Sequence, residues 1–262
     1  MRTSAAGRRV LRWLAYLTAG AMAPACGSGP APDSSSTASQ TLTVFAASSL
    51  RDAFTAIGEA FTAANPYVTI AFNFAASSEL VTQVINGAPA DIIATADTST
   101  MARVTASDNL RTDPVVFTTN RAMIIVGAGN PQNITEVSDL SDPDLVVIAC
   151  APEVPCGTYA RTVLDSAGVS VTFKSLEENV TSVVSKVTLG EADAGIVYVT
   201  DVLGAGTEIE GVEIPADINV EADYPVAITA GAVDPGTARA FVDFLLSIDG
   251  RSILESFGFV SP

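Results

Sequence analysis

The sequence predicts an α/β fold in which strands and helices alternate along the chain. Short apolar runs with strand character are followed by segments whose apolar residues recur every three to four positions, and this alternation starts again in the second half of the chain. The foldable part has about 220 residues, enough for one large or two small domains. Strand–helix–strand units pair in parallel through right-handed crossovers, so a mostly parallel sheet with flanking helices is expected in each half.

The first half contains three predicted strands, at residues 41–46, 67–74 and 91–95. A helix with apolar residues at helical spacing follows the first strand and ends at Asn65 and Pro66. A second helix begins near Ser77 and ends before residue 87.

The second half repeats the alternation with less regular spacing. Predicted strands lie at residues 122–126, 145–149, 194–199 and 224–230. Predicted helices lie at residues 159–167, 180–189, 237–246 and 252–257.

The first 40 residues predict an export signal and a tether. Residues 1–26 carry four arginines and no acidic residue, and the apolar run at 13–25 is about half of the ~20 residues that span a bilayer. The sequence Ala-Pro-Ala-Cys at 23–26 resembles a lipobox, which predicts cleavage before Cys26 and a lipid on that residue. Ordinary cleavage with Cys26 unmodified is the alternative. Residues 27–40 are rich in Gly, Ser and Pro, which is typical of a disordered tether.

Composition excludes several function classes. After Cys26 the chain holds all 29 acidic residues and nine of the 13 basic ones, a net charge of −20, so nucleic acid is not an expected partner. Histidine is absent from the sequence, which removes most zinc sites and the usual Ser-His and Cys-His nucleophiles. An exported serine hydrolase would have to use Ser49 or Ser77 with one of the two lysines, Lys174 or Lys186, and neither serine lies in a G-x-S-x-G motif.

Two cysteines remain beside Cys26. Cys150 and Cys156 are six positions apart, and a close pair in an exported protein predicts a disulfide. Two free thiols are the alternative.

Serine pairs follow the first two predicted strands. Ser48 and Ser49 come after the first strand, and Ser77 and Ser78 come after the second. Ligands of open α/β sheets bind at the carboxyl ends of the strands, where helix N-termini offer free N–H groups and partial positive charge. The serines are therefore either anion-binding donors or plain helix N-caps.

Seven segments resemble the periplasmic molybdate-binding proteins of ABC transporters. They are TVFAASSL (43–50), FAASSEL (74–80), GAPADIIATAD (87–97), PEVPCGTYA (152–160), EENV (177–180), GIVYVTD (195–201) and YPVAI (224–228). GAPADIIATAD is common among related binding proteins, whereas the combination of AASSL, PEVPCG and IVYVTD is more specific.

The resemblance implies a two-lobed type II periplasmic binding protein fold that closes on its ligand. Residues 41–120 and 225–262 would form the first lobe, and residues 121–224 the second. The oxyanion would be held by hydrogen bonds, without a direct protein–metal bond. The implied donors are two serine hydroxyls, two backbone N–H groups and one phenol, on Ser49, Ser77, Cys156, Val180 and Tyr198. Cys156 departs from the small apolar residue of better-known members.

The function implied by the resemblance is capture of molybdate, and also of tungstate, for delivery to an ABC permease. The protein would be a monomer and not an enzyme, would carry no cofactor, and would contact the membrane only through a lipid anchor on its extracytoplasmic face. The same fold could instead serve sulfate, thiosulfate or a ferric complex. A signalling or adhesion lipoprotein is a further alternative.

Overall fold

The computed structural model describes residues 39–262, which form eight α-helices and nine strands. The predicted signal, the predicted tether up to residue 38 and Cys26 lie outside the described residues. The helices are α1 (Arg51–Ala64), α2 (Ser77–Ile85), α3 (Thr98–Thr105), α4 (Pro155–Ala167), α5 (Val180–Thr188), α6 (Val199–Gly204), α7 (Pro235–Leu245) and α8 (Ile248–Ser256). The strands are β1 (Gln40–Ala47), β2 (Val68–Ala75), β3 (Ile92–Ala94), β4 (Val115–Gly127), β5 (Val147–Cys150), β6 (Ser175–Glu177), β7 (Ala194–Tyr198), β8 (Ile209–Glu213) and β9 (Glu221–Ile228).

The strands join in the order β2-β1-β3-β9-β4-β7-β5-β6, with β8 paired to β4. Pairing is parallel between β1 and its neighbours β2 and β3, and between β5 and its neighbours β6 and β7. The predicted strand–helix alternation explains this, because each parallel pair needs a crossover connection. The two-lobed α/β fold predicted from the sequence is confirmed, and antiparallel pairs occur where β4 and β9 meet the rest of the sheet.

Strand β4 is continuous through both parts of the sheet. Its first residues pair with β9, and its last residues pair with β7 and β8. The pairing with β9 shifts register between Val116 and Thr118, which marks a β-bulge in the strand that joins the two parts. The C-terminal residues close over this region, because the backbone of Val260 exchanges hydrogen bonds with Thr119.

Three apolar clusters hold the layers together. The largest includes β1, the buried face of α1 and α7, and an aromatic group in which the Phe54 ring contacts Phe72, Phe117 and Phe241. A second cluster packs α2 and α3 against the other face of the first part of the sheet, and a third packs α4 against β4, β5 and β7. This packing fixes the position of each helix N-terminus relative to the carboxyl end of the strand that precedes it.

Several sequence expectations need correction. Strand β4 begins at Val115, seven residues before the predicted start, and α8 begins at Ile248, four residues before it. Helix α3 was not predicted. Helix α4 begins at Pro155, four residues before the predicted start, because proline suits the first turn of a helix, where its missing N–H is no loss. The strand predicted at 194–199 ends at Tyr198, and the chain turns directly into α6, a helix that the apolar run concealed.

Across residues 39–262, no helix is both long and apolar enough to cross a membrane.

Candidate functional site

A small cavity lies where several helices begin. Its volume open to a water-sized molecule is about 10 Å³, and it is lined by residues of five strand-to-helix turns and by Tyr198. All five residues that the sequence analysis proposed line this cavity: Ser49, Ser77, Cys156, Val180 and Tyr198. Residues about 150 positions apart in the chain meet here because the carboxyl ends of β1, β2, β5, β6 and β7 lead to it.

The two serines do not act as helix N-caps. Ala47 precedes the short 3-10 helix Ser48–Leu50 that leads into α1, and Ala76 is the N-cap of α2, and neither helix start has a side-chain cap. Ser49 Oγ lies 3.0 Å from Tyr224 Oη, and Ser77 Oγ accepts the N–H of Ala96 at 3.0 Å. The alternative in which both serines are plain caps is therefore wrong.

Two of the proposed donors are backbone groups in first helical turns. Val180 is the first residue of α5, and Cys156 is the second residue of α4. The N–H groups at these positions have no carbonyl partner within their own helix. Both residues are buried and line the cavity.

The predicted disulfide is present and joins Cys150 to Cys156. It links the end of β5 to the first turn of α4, and so closes the turn that carries the Cys156 N–H. A covalent closure over so few residues restricts the conformations of this turn.

Tyr198 carries an unsatisfied hydroxyl. The side chain is 2% exposed, and among residues 39–262 its Oη is the only buried side-chain nitrogen or oxygen without a hydrogen-bond partner. Burial raises the pKa of the Tyr198 phenol well above its usual value, and the neighbouring Tyr224 raises it further. The phenol therefore stays protonated and can donate a hydrogen bond. Leaving such a donor unpaired costs about 1–3 kcal/mol, which indicates a function for it.

The described part of the cavity lining has no charged side chain, but the helix N-termini around it create a positive electrostatic potential. None of the described residues that line it is charged, and Arg51 lines two neighbouring cavities instead. The residues around it belong to the N-terminal ends of α2, α4 and α5 and of the 3-10 helix before α1. Each helix N-terminus contributes roughly half a positive charge, so their convergence favours an anion even in an acidic protein.

Ser48, which the sequence analysis singled out together with Ser49, also lines the cavity. Sequence reasoning missed two other contributors to this site. Asn179 caps α5 by accepting the N–H of Ser182 at 3.0 Å. Tyr224 contacts Ser49 from outside the lining. An asparagine directly before a helix is a recognisable N-cap signal, whereas a tyrosine within an apolar strand predicts only a residue of the hydrophobic core.

An acidic side chain lies directly behind Tyr198. Asp201 Oδ2 accepts the backbone N–H of Tyr198 at 2.9 Å and lines an adjacent cavity that also contains Asp52. Burial raises the pKa of Asp201 to about 7; the hydrogen bond from Tyr198 acts in the opposite direction, and the charge of Asp52 raises the pKa further.

This carboxyl predicts a pH-dependent stability. In the unfolded chain the aspartate pKa is about 3.9, so between about pH 4 and 7 the folded state binds the extra proton and stability falls as the pH rises. We expect the free energy of unfolding to be larger at pH 5 than at pH 8, by on the order of 1–3 kcal/mol. Asp201→Asn, which can still accept the Tyr198 N–H, should flatten this dependence in urea unfolding. An unchanged slope in the variant would contradict the assignment.

The chain matches a family of known binding proteins. The family model described as bacterial extracellular solute-binding protein matches residues 42–260. The chain belongs to this family. This confirms the resemblance to binding proteins of ABC transporters that the sequence indicated. Because the family consists of solute-binding proteins, the chain is not an enzyme, and the serine hydrolase alternative is wrong.

Known proteins with similar sequences or folds agree with this assignment. The molybdate-binding protein ModA of Mycobacterium tuberculosis is 41% identical over 96% of this chain and 100% of its own length. The periplasmic molybdate-binding protein of Azotobacter vinelandii is 17% identical, with a TM-score of 0.75 over 84% of this chain and 99% of that one. The sulfate-binding protein SubI of M. tuberculosis is 20% identical, with a TM-score of 0.77 over 84% of this chain and 86% of that one. The two structures show a shared fold of solute-binding proteins.

Proposed function

We propose that this solute-binding protein captures molybdate, and also tungstate, in the cavity at the helix N-termini and delivers it to an ABC importer. The observation that carries the proposal is the buried, unpartnered Tyr198 hydroxyl facing a neutral cavity formed at helix starts. An oxyanion would give this hydroxyl the acceptor it lacks. The ModA relative at 41% identity supports molybdate as the anion.

The proposed ligand set contains only hydrogen-bond donors. Ser49 and Ser77 supply hydroxyls, Cys156 and Val180 supply backbone N–H groups, and Tyr198 supplies a phenol. Neutral donors suit a dianion that must be taken up and later released, since a buried cation would be costly in the empty site and preorganised dipoles are not. The net negative charge of the protein acts at long range and is screened over about 8 Å at physiological salt, so it does not decide affinity.

The proposed ligand lies between two lobes. We assign residues 41–120 and 225–262 to one lobe and 121–224 to the other, with β4 and β9 joining them. Two proposed donors then come from the first lobe and three from the second, so the ligand would hold the lobes together. We further propose a monomer, anchored through a lipid on Cys26 at the extracytoplasmic face.

Ligand-dependent thermal stability tests the proposal. The protein is heated with molybdate, tungstate, sulfate, thiosulfate or phosphate, and unfolding is followed by calorimetry. We expect molybdate and tungstate, which are nearly equal in size, to raise the Tm by several degrees, because ligand at about 1,000 times Kd adds about 4 kcal/mol. The smaller sulfate and phosphate should leave donors unpaired and shift the Tm little.

The other outcomes separate the parts of the proposal. A shift with sulfate or thiosulfate alone would replace the ligand and keep the oxyanion site. The absence of a shift with every oxyanion would refute the site itself.

A further inference from the structure

Tyr224 connects the two sides of the cavity without lining it. The residue lies in β9, is fully buried at 0% exposure, and places its Oη 3.0 Å from Ser49 Oγ. Its ring packs edge-on against Tyr198, with centroids 6.0 Å apart, and against Phe259, with centroids 5.5 Å apart. Tyr224 therefore touches one proposed donor from each lobe.

The hydrogen bond between Tyr224 and Ser49 has a preferred direction. Asn120 Oδ1 accepts the N–H of Arg121 at 2.9 Å, so its amide nitrogen faces the other way, where it donates to Thr200 Oγ1 at 2.8 Å. Burial raises the pKa of the Tyr224 phenol well above its usual value, and hydrogen bonding with Ser49 and Asn120 acts in the opposite direction, so the phenol keeps its hydrogen. In the part of the chain that the structure describes, Ser49 Oγ is the hydrogen-bond partner of Tyr224 Oη, and an Asn120 N–H cannot accept, so Ser49 Oγ is the acceptor for this hydrogen.

Burial makes this direction the favourable one. The Tyr224 hydroxyl is buried and cannot donate its hydrogen to solvent, and leaving a buried donor without an acceptor costs free energy of folding. Ser49 is only half-buried and lines the cavity, so its own hydrogen can point into the cavity when its oxygen accepts from Tyr224.

The second serine is oriented in the same way by a different donor. Ser77 is 2% exposed, and its oxygen accepts the Ala96 N–H at 3.0 Å, so its hydrogen is also left for the cavity. Each serine oxygen thus accepts one hydrogen bond from the protein, and its own hydrogen is left for the cavity. A protonated oxyanion such as hydrogen phosphate carries an O–H that needs an acceptor, and serines oriented in this way present a hydrogen to the ligand instead.

We propose that Tyr224 is a positioning residue that holds the Ser49 hydroxyl as a hydrogen-bond donor and thereby selects fully ionised oxyanions over protonated ones. The inference rests on the proposed oxyanion function. Tyr224 acts through Ser49 and does not touch the ligand.

A double-mutant cycle tests this role. Molybdate and phosphate affinities are measured by calorimetry for the wild type, Tyr224→Phe, Ser49→Ala and the double variant. Tyr224→Phe keeps the packed ring, and we expect it to weaken molybdate binding about tenfold. In the Ser49→Ala background the same change should alter molybdate affinity less than twofold, because the residue through which it acts is gone. Tyr67→Phe, at a tyrosine that is 42% exposed, is the matched control and should bind as the wild type does.

The ratio of phosphate to molybdate affinity distinguishes this positioning role from a purely structural one, which would leave the ratio unchanged. Without Tyr224 to donate to it, the Ser49 hydroxyl can turn and accept, so the ratio of phosphate to molybdate affinity should rise at least fivefold in Tyr224→Phe. A tenfold loss of molybdate affinity that persists in the Ser49→Ala background, or an unchanged ratio, would overturn the positioning role while leaving the oxyanion function intact. Failure of the wild type to bind molybdate would overturn both.

Discussion

Replacing Gly157 by alanine should damage both the fold and the binding site. A Cβ at this position would lie 2.0 Å from the carbonyl oxygen of Ala151 and 2.6 Å from that of Cys150. Both are backbone atoms of the turn that the disulfide closes, so the overlap cannot be relieved by a side-chain rotation. We expect Gly157→Ala to lower the free energy of unfolding by on the order of 3 kcal/mol, measured in urea.

The same substitution should weaken oxyanion binding at least tenfold. Gly157 directly follows Cys156, whose N–H is a proposed donor, and pushing the turn away from α4 would move that donor out of line. Gly127→Ala is the matched control, since a Cβ there meets no atom within 4 Å and the backbone φ is not positive. Equal stability and affinity for Gly157→Ala and the wild type would show that the turn does not approach the helix as closely as described.

The framework of this site was predictable from sequence because it depends on local patterns. Period-two and helical apolar spacing predicted β1, α1, β2 and α2 within a few residues of their observed bounds. Once these units pair in parallel, the residues after each strand must converge at one edge of the sheet. Ser49 and Ser77 could be placed at the cavity for this reason, whereas Cys156, Val180 and Tyr198 were proposed only from the family resemblance.

The contacts that orient the donors could not be predicted in this way. Ser49 and Tyr224 are 175 positions apart, and nothing in the apolar strand around Tyr224 signals a polar partner. Helix α6 has only six residues and follows β7 without a break, so the apolar pattern that includes Val199 predicts a strand there. Long-range hydrogen bonds and short helices depend on tertiary packing, which local propensity does not encode.

Removal of the Tyr198 hydroxyl should affect stability and binding in opposite directions. In the ligand-free protein this hydroxyl is a buried donor without a partner, so Tyr198→Phe removes an unsatisfied group and should raise the free energy of unfolding by about 1 kcal/mol. In the complex the same hydroxyl would donate to the oxyanion. Its loss should weaken molybdate binding by about 10- to 100-fold, or roughly 1.4–2.8 kcal/mol.

The opposite signs distinguish a ligand donor from a structural tyrosine. A tyrosine whose hydroxyl served the fold would lose stability on conversion to phenylalanine and would change affinity only indirectly. Tyr159→Phe is a suitable comparison, because Tyr159 packs edge-on against Tyr198 at 6.3 Å between ring centroids and does not line the cavity. We expect Tyr159→Phe to retain molybdate affinity. A Tyr198→Phe protein that is less stable than the wild type and binds molybdate normally would place the phenol in the core and move the oxyanion elsewhere.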